Sequence, residues 1–285
     1  MKLIRFGDAG SERPGLLLED GRRIDVSGFA GDYDEAFFAS DGLAGLRAWL
    51  PRHGAAARVV AENVRLGPPI RRPSKIVCIG LNFRDHAAES GMEIPREPVI
   101  FFKASTSLAG PNDYVMIPRG GTKLDWEVEL AVIVGRTARY ITREQAPEFV
   151  AGYALHNDYS ERTFQLERGG QWSKGKSADT FAPLGPFLAT RDELPDTYRL
   201  EMWLDVNGQP RQRGTTANMI FDVATLVSYV SEFMTLLPGD VISTGTPAGV
   251  GLGMKPAPQY LNPGDEVTLG ITRLGQSRQR VIACP

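Results

Sequence analysis

Lys123-Leu124-Asp125-Trp126-Glu127-Val128-Glu129-Leu130-Ala131-Val132-Ile133-Val134-Gly135 is the stretch on which the fold turns. It places acids at alternate positions and then runs into unbroken aliphatic and β-branched residues, the pattern of a strand entering a core. Successive strand side chains point to opposite faces, so Asp125, Glu127 and Glu129 are expected on one face and Trp126, Val128 and Leu130 on the other. Three like charges in a row repel one another. Such a row is tolerated on a face open to water, or where a cation neutralises it, and an all-oxygen ligand set favours magnesium, manganese or calcium.

Outward from this strand the chain shows many short strands punctuated by Gly, Pro and Asn: Lys75 to Ile79, Val99 to Lys103, Leu130 to Val134, Ala151 to Leu155, Leu200 to Val206 and Asp240 to Thr244. An amphipathic helix from about Asp222 to Leu236 interrupts them, and helical periodicity also runs from Leu43 to Leu50. The proline-rich, basic segment Leu66 to Ser74 cannot continue helix or sheet regularly. It divides a small N-terminal unit, residues 1–70, from a larger one, residues 71–285. The N-terminal unit opens with a strand at Leu3 to Phe6 and a hairpin turning at Asp20-Gly21. The class expected is α+β and mainly β.

Composition narrows the function. A chain of 285 residues with 42% hydrophobic residues can bury a sizeable core. Lys and Arg number 32 against 34 Asp and Glu, which leaves no basic surplus to hold nucleic acid or an acidic membrane surface. No run approaches the roughly 18 apolar residues of a membrane span, and the start has no leader-like apolar core, so the cytoplasm is expected. Cys78 and Cys284 read as reduced thiols. There is no G-x-S-x-G, H-E-x-x-H or paired C-x-x-C signature. Gly170 to Ser177 matches the phosphate-loop pattern, but polar residues precede it and Phe181 to Pro186 breaks any following helix, so a nucleotide site is not expected. Lys176 within it can still serve an anionic centre as a point charge.

Three further groups carry chemistry. His86 and Glu89 lie one helical turn apart after a strand end, where a carboxylate can orient an imidazole as a base, although a surface pair has the same spacing. Asp158 follows a strand and reads as a third oxygen ligand or as a helix N-cap. Arg162 and Gln165, three apart, can together meet a carboxylated substrate or form a solvated helix face.

Taken in order, these segments resemble the fumarylacetoacetate hydrolase superfamily. The matching pieces are Ile79 to Phe83 with His86 and Glu89, Asp125 to Gly135, Asn157 to Arg162, Lys174 to Ser177 with Pro183 to Pro186, and Thr244 to Gly251. The resemblance implies a mixed β-roll or sandwich catalytic domain, usually dimeric, that binds Mg²⁺ or Mn²⁺ through Glu127, Glu129 and Asp158. It implies a His86–Glu89 base dyad on a mobile lid, Lys176 as an oxyanion-stabilising cation, and Arg162, Gln165 and Thr246 as substrate-binding residues. A further acidic ligand found in the family's namesake has no counterpart at Cys78-Ile79-Gly80, which is the pattern of the acylpyruvate-hydrolase-like branch. The N-terminal unit is similar to bacterial enzymes that cleave 2,4-diketo-3-deoxy sugar acids. The activity implied is metal-dependent hydrolysis of a 2,4-diketo acid such as 2,4-diketo-3-deoxy-L-rhamnonate, with hydratase, isomerase or decarboxylase chemistry on a 2-oxo acid as the alternative.

Overall fold

The structure, a computed structural model, describes all residues from Met1 to Pro285. The Lys123–Gly135 stretch supplies its central strand, Val128–Val134, buried along its whole length. That strand pairs antiparallel with Val150–Asn157 on one side and Val241–Ser243 on the other. Beyond Val241–Ser243 come Ile76–Gly80, in parallel register, and the edge strand Val99–Lys103. Beyond Val150–Asn157 the order continues through Leu188–Thr190 to Lys2–Phe6, Arg13–Leu17, Arg23–Asp25 and Val59–Val60. The N-terminal strands therefore extend the same sheet that carries the central strand.

Alternation along the central strand divides the core in two. Val128, Leu130, Val132 and Val134 face a second sheet of five strands, meeting Leu204, Val267 and Leu269 together with Leu226 and Val230 of the helix Val223–Phe233. Ala131 and Ile133 point the other way, into a cluster with Leu3, Phe37, Phe38 and Leu46 of the N-terminal helices Glu35–Ala39 and Gly42–His53. The helix expected from about Asp222 spans Val223–Phe233, with the Asp222 carboxylate accepting from Thr225 N at 2.8 Å as its N-cap.

The expected acidic row is corrected in one respect. The strand breaks at Trp126 and Glu127, between Leu124–Asp125 and Val128–Val134. Asp125 thus does not continue the face of Glu129. Its carboxylate turns to accept from Trp126 N, from Gly251 N at 2.6 Å and from Leu252 N at 2.9 Å. Satisfying orphan amides of a glycine-rich loop outweighed strict alternation, because a buried carboxylate and buried amides each need a partner.

Gly152 lies where the two parts of the large sheet meet, and a Cβ there would come 2.1 Å from the carbonyl oxygen of Ala189. Gly152→Ala is expected to destabilise the protein by about 1–3 kcal/mol through overpacking against backbone that cannot move aside. A urea midpoint unchanged from the parent protein would contradict this.

Candidate active site

At the end of the central strand, one carboxylate oxygen from each of Glu127, Glu129 and Asp158 lies within 4.8 Å of the others, and all three residues are buried. The sheet sets this geometry. Glu129 sits opposite His156 in the ladder, and Asp158 follows two residues later with its amide donating to Glu127 O at 2.9 Å. Asn157 Oδ1 accepts from Glu127 N at 3.0 Å, fixing the backbone where the strand breaks.

Buried cations offset the acids unequally. Lys176 Nζ donates to Glu127 at 2.6 Å and to Asp158 at 2.9 Å. Lys103, fully buried, pairs with the other oxygen of Asp158 and donates to Tyr159 O at 3.0 Å. Arg162 donates through Nη2 to Glu127 at 2.7 Å and through Nε to Asp125 at 2.9 Å. Burial pushes the carboxyl of Asp158 up, but Lys103 and Lys176 outweigh it and hold it far below the usual carboxylate range. Glu127 is likewise pushed up by burial and pulled below its ordinary value by Lys176 and Arg162.

Glu129 has no cation of its own. Burial first, then the negative neighbours Asp158 and Glu127, drive its carboxyl well above the ordinary range. Its oxygen Oε2 instead accepts from Ser243 Oγ at 2.5 Å and from Gly245 N at 3.0 Å. Ser243 is contacted in turn by His156 Nδ1 at 2.6 Å. Where a cation keeps Glu129 ionised, the serine hydroxyl donates to the carboxylate and accepts from an Nδ1–H, which selects the Nδ1–H tautomer of His156 in that state. Burial keeps His156 neutral by lowering its pKa to about 3, and its Nε2 has no partner. The donor set fits a hard divalent cation: three converging oxygens, one of them on a carboxylate that nothing else neutralises.

A cavity of about 60 Å³ is lined by Glu127 and Glu129 and also by His86, on the short helix Arg84–Glu89. Its Nδ1 lies 3.3 Å from Glu89 Oε2, which leaves Nε2 as the free ring nitrogen. Glu89 also accepts from Gly249 N at 3.0 Å, so the helix is latched onto the loop that Asp125 anchors. Arg162, Gln165 and Thr246 line the same cavity. Arg162 and Gln165 are buried and bonded to each other, Nη1 to Oε1 at 2.9 Å, and so do not form a solvated face. Thr246 Oγ1 donates to Val128 O and accepts from Gln212 Nε2. Asp158 caps no helix; both of its oxygens are held by lysines. The phosphate-loop match has no strand before it, and Lys176 ends a helix of one turn, Ser173–Lys176.

Sequence reasoning missed Lys103, Ser243 and the role of His156. A lone lysine closing the apolar run Val99 to Phe102 was a usable signal, because a cation in a buried strand needs a partner. Ser243 gave none, since it touches Glu129 only through the pairing of distant strands.

A family model, the fumarylacetoacetate (FAA) hydrolase C-terminal domain, matches residues 75–282. The chain belongs to the fumarylacetoacetate hydrolase family. A Burkholderia lata protein provisionally named a hydrolase, with no substrate given, is 50% identical over 279 residues, 98% of each chain. A solved 5-carboxymethyl-2-hydroxymuconate delta-isomerase from Mycobacterium smegmatis is 32% identical over all of both chains, with a TM-score of 0.78. A maleylpyruvate hydrolase from Sphingobium sp. SYK-6, solved with manganese(II) and pyruvate, is 28% identical over all of both chains, with a TM-score of 0.82. The mainly β fold described above is the fold of this family. No helix of the chain is long and apolar enough to cross a membrane.

Two outcomes follow for metal binding. Ser243→Ala, which removes the donor that orients Glu129, is expected to weaken Mn²⁺ binding about 10–100-fold by calorimetry, with Ser243→Thr near the parent. Burial and its negative neighbours favour the protonated form of Glu129, so Mn²⁺ binding is expected to strengthen as pH rises and to release a proton. Calorimetry in buffers of different ionisation enthalpy reads that proton, and a buffer-independent heat would refute it.

Proposed function

We propose that this enzyme is a Mg²⁺- or Mn²⁺-dependent hydrolase that cleaves the C3–C4 bond of a 2,4-diketo acid and releases pyruvate, with 2,4-diketo-3-deoxy-L-rhamnonate as the favoured substrate and L-lactate as the second product. The observation that carries the reading is that His86, held by Glu89, lines one small cavity with Glu127 and Glu129 of the three converging carboxylates. The maleylpyruvate hydrolase relative, solved with manganese and pyruvate, supports the metal and one product. The active form is taken to be a homodimer.

Glu127, Glu129 and Asp158 would hold the divalent ion, which when bound supplies Lewis-acid stabilisation of negative charge on the 2-oxo acid. The chain's own groups do the rest. Glu89 orients His86 by accepting from Nδ1–H, so Nε2 takes a proton from water while the water oxygen bonds to C4. As the C4 carbonyl re-forms, the C3–C4 bond breaks and its electron pair stays on the pyruvate fragment as an enolate. Two of the three ammonium hydrogens of Lys176 are committed to Glu127 and Asp158, and the third is available to the developing charge. His86 then returns its proton to C3, giving pyruvate and a second carboxylic acid.

The isomerase relative favours a second reading, in which the same site moves a proton on a 2-oxo acid without adding water. Pyruvate release separates the two. Purified enzyme with Mg²⁺ is expected to release pyruvate from the deoxyrhamnonate-derived diketo acid or from acylpyruvates, and to lose that activity on chelation. His86→Asn and Glu89→Gln are each expected to lower kcat by about 10²–10⁴ while Mn²⁺ affinity stays unchanged. No pyruvate from any of these substrates would favour the isomerase.

A further inference from the structure

The cavity has a charged floor and an apolar rim. Buried Glu127, Glu129 and Lys176 form the floor, whereas Gly80, Leu81, His86 and Trp172 at the rim are only partly buried. At about 60 Å³ the cavity is narrow. The remainder of a longer substrate therefore meets the rim.

That rim is shaped by two close fits. The Trp172 ring occupies the space a side chain on residue 80 would need, since a Cβ on Gly80 would lie 2.7 Å from it, and the indole meets Phe101 edge-on at 5.4 Å. Leu81 takes a φ of 53°, a strained conformation for a bulky residue of the kind that gathers at ligand clamps. The buried Asn82 side chain fixes that turn through Thr244 O at 2.8 Å, Phe221 O at 3.0 Å and Phe221 N at 2.8 Å.

The rim also lacks a permanent cation. Among the cavity-lining residues only Arg162 and Lys176 carry fixed positive charge, and both are buried at the floor beside its carboxylates, away from the rim. A carboxylate on the substrate's tail would lose water against Leu81 and Trp172 without gaining a partner. Maleylpyruvate, named for one relative, carries such a tail.

We propose that Leu81 and Trp172 select 2-oxo acids whose tail beyond the carbonyl is uncharged. The selection rests on the reading of the floor as a 2-oxo acid site and is independent of which bond is cleaved there.

The test is calorimetric titration of the full-length, Mn²⁺-loaded protein with 2-oxovalerate and 2-oxoglutarate, which share a chain length and differ in a tail methyl against a tail carboxylate. The parent protein is expected to bind 2-oxovalerate about tenfold or more tightly than 2-oxoglutarate. Trp172→Ala should bring the ratio close to one with Mn²⁺ affinity unchanged, and Trp172→Phe should keep most of it. Equal binding, or tighter binding of 2-oxoglutarate, overturns the proposal, as does a ratio indifferent to Trp172→Ala in a protein that still binds Mn²⁺. Binding of neither acid to the loaded protein sinks both this selection and the 2-oxo acid reading. Discrimination without pyruvate release from any diketo acid would leave the selection standing and remove only the hydrolase.

Discussion

Everything at this site depends on how three carboxylates are kept together inside a protein. Burying one carboxylate without a partner is costly, and burying three within a few ångströms adds their mutual repulsion. The chain answers with Lys103, Lys176 and Arg162, all buried and all in ion pairs with this group or its neighbour Asp125. The compensation is uneven. Glu127 and Asp158 are held ionised, while Glu129 meets only a hydroxyl and an amide and is pushed toward its protonated form. A divalent ion would restore the balance at that one position, so the arrangement that makes the folded protein tolerable also suits it to a cation.

The fold serves this arrangement by bringing distant segments to one end of a sheet. Glu127 and Glu129 come from the central strand and its break, Asp158 from the end of the neighbouring strand, and Lys103 from the edge. The glycine loop near residue 250 is tied from beneath by Asp125 and from above by Glu89. Arg162 bridges Asp125 to Glu127, so the loop that receives the His86 helix is linked to one of the three clustered carboxylates.

Much of this was legible in the sequence, and the reasons differ by residue. The central strand and the helix Val223–Phe233 announce themselves through strong periodicity and, in the helix, an Asp cap. Glu127, Glu129 and Asp158 stood out because acids beside continuous apolar runs demand an explanation, and the structure gathers them. Asp125 misled because alternation presumes an unbroken strand, and only tertiary demand for a buried acceptor shows why the strand yields. Ser243 and His156 were silent because their significance lies in lateral pairing across the sheet, which no local pattern encodes. The continuity of the N-terminal strands with the catalytic sheet was equally hidden, since the proline-rich segment at Leu66 to Ser74 marks a break in regular structure but says nothing about which strands pair across it.

The parallel pairing of Val241–Ser243 with Ile76–Gly80 has a consequence in time as well as in space. Ser243 and Gly245, which hold Glu129 in place, are synthesised long after the carboxylate they hold. During translation Glu129 lacks these two donors until the late strand inserts between two that are already synthesised. Closing so long a loop is slow, because its entropy must be lost before the new contacts compensate. Glu129, the one acid of the three without a cation, therefore gains its two donors late, and a divalent ion arriving earlier would meet an incomplete set of oxygen ligands.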